Sequence, residues 1–244
     1  MSEPGPNGID EAFLQRIEPL ARSVHRYCRV KVSGTENVPK GKALLVANHT
    51  GWLGLDGLNL YVTVRDHLER DLFTAVHPNF FTTPLIRDIA PRIGFFEAGV
   101  RETVKVLDRG ELVLFFPEGE QGNFKPIWEL YQLQPFKPGF ARVALAADAP
   151  VVPVVIIGGE EANPSLARLD FLKDSLGLGL PVPTNVFPLP VKWRITFLPP
   201  IKMDKYLAPD MADADTIELL RRDVEAVMRE AVVRELKARG DPFF

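Results

Sequence analysis

The chain has 244 residues, a formal net charge of −3, 46% apolar and 25% charged residues, and a single cysteine, Cys28. Length and balance describe one packed domain with at most a small appendage; they exclude a disordered chain and any overall positive field for nucleic acid. One cysteine excludes an internal disulfide framework and fits a reducing compartment.

Residues 1–9 read as a floppy leader without the basic start and apolar run of a signal peptide. From Asp10, a plausible N-cap, the pattern turns helical. Phe13, Ile17, Leu20, Val24 and Tyr27 recur at helical spacing, opposite Arg16, Arg22, Arg26 and Arg29. That stripe is expected to pack on the domain, although an amphipathic helix of this kind can also lie on a membrane. Short apolar runs at 43–47, 72–76, 94–97, 112–116, 151–157 and 193–197 read as strands. Helices are expected to start at 58–65 and to cover 101–109, with Gly110 as the stop, 140–147 and 216–239. The last carries Ile217, Leu220, Val224, Val227, Ala231 and Leu236 along one side. Residues 164–190 are apolar and rich in Gly and Pro; they are expected to be irregular, either a surface loop or, over 176–190, a flap or lipid-dipping segment. The longest strand, 151–157, is interrupted by Pro153, and nothing approaches the ~20 apolar residues that span a bilayer, so lipid would be met from the surface.

Alternating strands and helices predict a single α/β domain with a mainly parallel mixed sheet flanked by helices. The boundaries read as 1–34 for leader and amphipathic helix, 35–202 for the main domain, and 203–244 for a C-terminal helix packed on it. Ligands bind such sheets at the carboxyl ends of the strands, where Asn48-His49 and Phe116-Pro117-Glu118-Gly119 both fall.

Histidine is suited to taking a proton at neutral pH, and a carboxylate partner fixes its tautomer. Asp56 is the nearest aspartate after His49. Seven positions along a helix would leave the two about 10 Å apart; contact therefore requires Gly51 and Gly54 to bend the chain. A histidine at a strand end can equally be a packed or capping residue. Pro117 and Gly119 end a strand and aim Glu118 at the crevice, where it could hold an acceptor hydroxyl or the base, or be an ordinary turn carboxylate. Arg101, at a helix start, could bind phosphate, with Lys125, Lys137 and Arg142 as alternatives and a surface cation as the plain reading of each. His25, His67 and His77 are weaker candidates. No histidine pair has metal-ligand spacing, Cys28 lacks a partner, and neither a Gly-x-Ser-x-Gly elbow nor a P-loop is present, so no metal is expected.

Asn48-His49 with Asp56, then Phe116-Pro117-Glu118-Gly119, then Val151-Val152-Pro153-Val154 resemble ordered blocks of the PlsC-like glycerolipid acyltransferase superfamily over roughly residues 35–202. The stretches at 116–122, 137–142, 157–161 and 187–194 are similar to a bacterial branch related to monoacylglycerol acyltransferases. The chain departs from the usual pattern in three places. Six residues, not four, separate His49 from Asp56; Arg101 is offset from the usual arginine; and Glu120-Gln121-Gly122 replaces the usual Thr-Arg-Ser after Gly119. The resemblance implies transfer of a fatty acyl group from an acyl-CoA or acyl-carrier-protein thioester to a glycerolipid hydroxyl, of lysophospholipid or 1-acylglycerol-3-phosphate type. His49 and Asp56 would be catalytic, and Glu118, Gly119, Arg101, Pro117 and Asn48 would bind substrate. Amides near Gly119 or Gly51 could hold the oxyanion. It implies no resident cofactor, a cytoplasmic enzyme peripheral to the inner face of a membrane, and a thioester donor and glycerolipid acceptor as partners. Alternatives are a thioesterase or lipid hydrolase in the same site, or a non-catalytic lipid-binding protein.

Overall fold

In β2 (Ala43–Ala47) every residue is buried, because apolar side chains leave alternately to two cores. Leu44 and Val46 join one core; Ala43, Leu45 and Ala47 join the other. β6 (Val151–Ile157) divides in the same way, with Val151, Val155 and Ile157 on one side and Val152, Val154 and Ile156 on the other. The computed structural model describes residues 8–51, 54–82, 84–169, 180–206 and 214–243.

The remaining elements are α1 (Glu11–Tyr27), β1 (Lys31–Ser33), α2 (Leu55–Leu68), β3 (Leu72–Val76), α3 (Pro84–Ile89), β4 (Phe95–Glu97), α4 (Val100–Leu107), β5 (Leu112–Phe115), α5 (Glu120–Asn123), α6 (Gly139–Ala147), α7 (Gly159–Ala162), β7 (Ser165–Leu169), β8 (Leu180–Pro183), β9 (Arg194–Phe197) and α8 (Ala214–Arg239). Seven strands form one sheet in the order β1-β9-β6-β2-β5-β3-β4. Its pairings are parallel except β6 with β9. Helices α6 and α8 cover one face, where Phe140, Leu220, Val224 and Met228 are buried. Leu60 and Val64 of α2 and the wholly buried Trp193 cover the other. The expected single α/β domain with a mainly parallel mixed sheet is the observed fold. Among the described residues no helix is long and apolar enough to cross a membrane.

Three expectations need correction. Asp10 does cap α1, its Oδ1 accepting the Phe13 N–H at 3.0 Å, but the buried line is Leu14, Ala21 and Cys28. Leu20 and Tyr27 each stand one residue earlier, about 100° round the helix, and are exposed. On α8, Met228 enters the core and Val227 is exposed. The stretch 164–190 is not wholly irregular: β7 and β8 pair antiparallel as a separate two-stranded sheet, where Pro181 and Pro183 are tolerated because a two-stranded ribbon has only edges. Residues 170–179, including the first four of the suggested flap (176–179), lie outside the described residues.

Candidate active site

β2 and β5 are parallel neighbours, so the loops leaving their carboxyl ends start side by side. Asn48 stops β2 by imitating a strand. Its Nδ2 donates to the Ile156 carbonyl and its Oδ1 accepts the Ile156 N–H, both at 2.8 Å. Both ends of this buried amide bond to β6, so Asn48 fixes the position of the next residue.

His49 follows with its ring held by two partners. Nδ1 lies 2.5 Å from Asp56 Oδ2. The bend that closes this gap uses Gly51 at φ 105° and Gly54 at φ 67°, left-handed conformations that favour glycine. Asp56 is itself immobilised in the first turn of α2 and fully buried. Its Oδ2 also accepts the Thr50 N–H at 2.7 Å and its Oδ1 the Gly57 N–H at 2.8 Å. The Phe116 ring stacks on the imidazole at 4.2 Å with a 16° interplanar angle. A carboxylate against Nδ1 places the ring proton there, which leaves the Nε2 lone pair to accept a proton. The His49 side chain is 17% exposed, against 0% for Asp56, so the imidazole can be reached from outside while the aspartate is enclosed.

Glu118 is also completely buried. Oε1 accepts the His49 backbone N–H at 3.0 Å, and Oε2 accepts the Gln134 N–H at 2.7 Å. This carboxylate therefore ties the β5 turn to the histidine loop. Of the two roles expected of it, holding a hydroxyl or holding the histidine, these contacts fit the second. Pro117 is buried and its carbonyl accepts the Lys137 N–H at 3.0 Å; it shapes the turn. Gly119 adopts φ 59°, ψ −145°, and its N–H donates to the Phe116 carbonyl at 3.1 Å. That amide bonds within the turn.

Behind Glu118 lies a charged cluster. The Lys125 side chain is 1% exposed, with Nζ 2.7 Å from Glu160 Oε1 and 3.8 Å from Glu118 Oε2. Glu160 Oε2 accepts the Tyr131 N–H at 2.6 Å. Two buried carboxylates share one ammonium, and burial pushes the Glu160 carboxyl up to about 7 against the pull of Lys125. A carboxyl that holds its proton more tightly in the fold, at about 7, than in the open chain, at 4.5, stabilises the fold fully below 4.5. That contribution is lost as pH rises between the two values. Urea unfolding across this window should show a fall on the order of 3 kcal/mol, and Glu160→Gln should remove that part of the slope.

Lys125 is therefore not an available phosphate ligand. Arg101, Lys137 and Arg142 are exposed. Lys137 reaches over the β5 turn: a side chain added at Gly119 would meet its Nζ at 3.0 Å. Among the described residues no hydrogen bond or ion pair joins Arg101 to His49, Asp56 or Glu118. Its helix follows the edge strand β4, three strand spacings from β2, or about 14 Å. Sequence reasoning missed the stacking of Phe116 and the pairing of Lys125 with Glu160. The first had a visible signal, an aromatic beside the strand end; the second joins residues far apart in the chain and had none.

Residues 29–157 match the family described as Acyltransferase, a span that holds His49, Asp56 and Glu118 and more than half of the chain. The chain belongs to the acyltransferase family. This acyltransferase, of the PlsC-like superfamily that its motifs resemble, is 37% identical over 252 residues to uncharacterized proteins of Mycobacterium bovis and Mycobacterium tuberculosis, across 97% of this chain and 70% of each relative. An uncharacterized protein of Mycobacterium leprae is 36% identical, across 97% of this acyltransferase and 69% of its own length. The fold is similar to the crystal structure of the 1-acyl-sn-glycerophosphate acyltransferase PlsC from Thermotoga maritima. That match has a TM-score of 0.57 and 20% identity, and covers 92% of this chain and 83% of that one.

Proposed function

We propose that this acyltransferase moves a fatty acyl group from a coenzyme A or carrier-protein thioester to the hydroxyl of a glycerolipid, with His49 as general base. One observation carries the reading: a partly exposed imidazole whose Nδ1 is held 2.5 Å from a buried aspartate, with no serine or cysteine hydrogen-bonded to it among the described residues. Cys28 is buried and its thiol is raised by that burial, which makes it a poor nucleophile. A base without a protein nucleophile suits direct attack by a bound alcohol on a thioester that is already activated. The acceptor O–H gives its proton to Nε2 as the oxygen bonds to the thioester carbonyl carbon. The tetrahedral centre then expels sulfur, and the imidazolium returns the proton to the departing thiolate. Asp56 and Phe116 hold the ring; Glu118 holds its backbone. A glycerolipid acceptor is supported by the activity of the Thermotoga maritima enzyme that shares the fold. Arg101, on the helix after the edge strand, suits a head group held away from the turn; Lys137, whose Nζ lies over Gly119, suits a phosphate nearer the turn.

Mass spectrometry of products formed from mixed acyl thioesters and a total lipid extract tests this reading. Acylated glycerolipids are expected. Free fatty acid formed at a rate indifferent to added lipid alcohol would make the protein a thioesterase.

A further inference from the structure

Six of the large apolar side chains that stand in solvent lie on three segments that meet at one edge of the molecule. Phe187 is 85% exposed, and Val186 and Leu189 are exposed beside it on the loop after β8. Leu20, 70% exposed, and Tyr27 stand on the outer side of α1, and Phe243 is exposed near the end of the chain. Hydrogen bonds join these pieces. Tyr27 Oη donates to the Pro188 carbonyl at 2.7 Å; Arg29 donates to the carbonyls of Pro190 and Phe243. The loop is braced from behind: Asn185 Nδ2 and the Leu189 N–H donate to the Ala162 carbonyl at 2.9 and 2.8 Å. Its backbone is tied down while its large apolar side chains point out, an arrangement that costs hydration and calls for a partner.

The charge around this edge opposes that of the whole chain, whose net charge is −3. Residues 19–34 carry Arg22, Arg26, Arg29 and Lys31, residues 180–194 carry Lys192 and Arg194, and neither stretch contains Asp or Glu. Arg22 pairs with Glu18 and Asp66, and Arg194 with Glu235; Arg26 and Arg29 are exposed. Asp241, also at the rim, accepts the Phe243 N–H.

The edge also lies on the side of the sheet where His49 sits. Lys31 pairs with Arg194, and Arg194 with Ile157, the carboxyl end of β6. β6 runs parallel to β2, so its end and His49 emerge together. Three strand spacings, about 14 Å, separate β1 from β2.

We infer that this edge docks the enzyme on an anionic phospholipid bilayer. Val186 and Phe187 enter the interface and Arg26 meets lipid phosphate, while Arg29 and Lys192, which hold carbonyls of the rim, add positive charge beside it. The carboxyl ends of the strands then face the lipid, and an acceptor reaches His49 without leaving the membrane surface; this last clause rests on the glycerolipid acceptor proposed above, the docking does not.

The full chain is centrifuged with vesicles of equal parts phosphatidylglycerol and phosphatidylcholine, and with vesicles of phosphatidylcholine alone. The wild type should sediment with the first and bind the second at least ~10-fold more weakly at low salt. Val186→Ser with Phe187→Ser should weaken binding about tenfold, and Arg26→Gln about fivefold, with thermal unfolding unchanged. Wild type left in solution by both vesicles, or variants that bind as the wild type does, would overturn the inference. So would a wild-type dimer that the double substitution turns into a monomer, since the surface would then be a contact between copies. Binding is read without turnover, so a failed acceptor assignment and a failed docking surface give different results.

Discussion

Replacing His49 by alanine is expected to lower acyl transfer by a factor of about 10²–10⁴ and to leave the fold in place. The side chain is partly exposed and its structural bond is a single contact to Asp56, whereas the backbone N–H that holds Glu118 survives the substitution. Asp56 keeps its Thr50 and Gly57 amide donors, so no buried carboxylate is stranded. Steady-state turnover with thermal unfolding as the control separates lost chemistry from lost structure. Asp56→Asn should also lower turnover, because an amide beside Nδ1 no longer dictates which ring nitrogen carries the proton.

Lys125→Met should act mainly on stability. The methionine fills much of the same space but leaves Glu118 and Glu160 in the interior without their shared ammonium. Removing one partner of a buried ion cluster costs about 3–5 kcal/mol, a large share of the stability of an ordinary domain. Adding Glu160→Gln should recover part of this loss, since it removes the carboxylate nearer to the missing charge while an amide oxygen can still accept the Tyr131 N–H. Urea unfolding of both single variants and the double variant measures the coupling. Recovery absent from the double variant would show that Lys125 acts through packing and not through charge. Turnover of Lys125→Met should fall as well, because Glu118 links this cluster to the His49 backbone.

The parts of this architecture that were legible beforehand are those written in local pattern. Val151–Ile157 could be read as a buried strand from its β-branched run, and α4 from its spacing with Gly110 beyond its end. The contact of His49 with Asp56 could be anticipated because a separation of seven residues closes only through a sharp bend and Gly51 and Gly54 stand where one is needed. Readings that depended on distant partners fared worse. Glu118 looked like a group facing a substrate, since nothing near it in sequence announces the amides of His49 and Gln134. Lys125 looked like a surface cation because a buried lysine leaves no periodic trace. On α1 the apolar residues number more than one face can bury, and burial by the domain selects Leu14 and Ala21 over Leu20. β1, three residues long, is too short to stand out and forms through pairing with β9, far along the chain.

Chemical rescue tests the role of the histidine most directly. In His49→Gly the ring is gone and imidazole can be supplied from solution into the gap beside Phe116 and Asp56. The expected variant has almost no turnover and regains acyl transfer to the lipid alcohol as imidazole is added, with rates that follow the neutral form of the base. Near wild-type turnover by His49→Gly without imidazole would contradict that role.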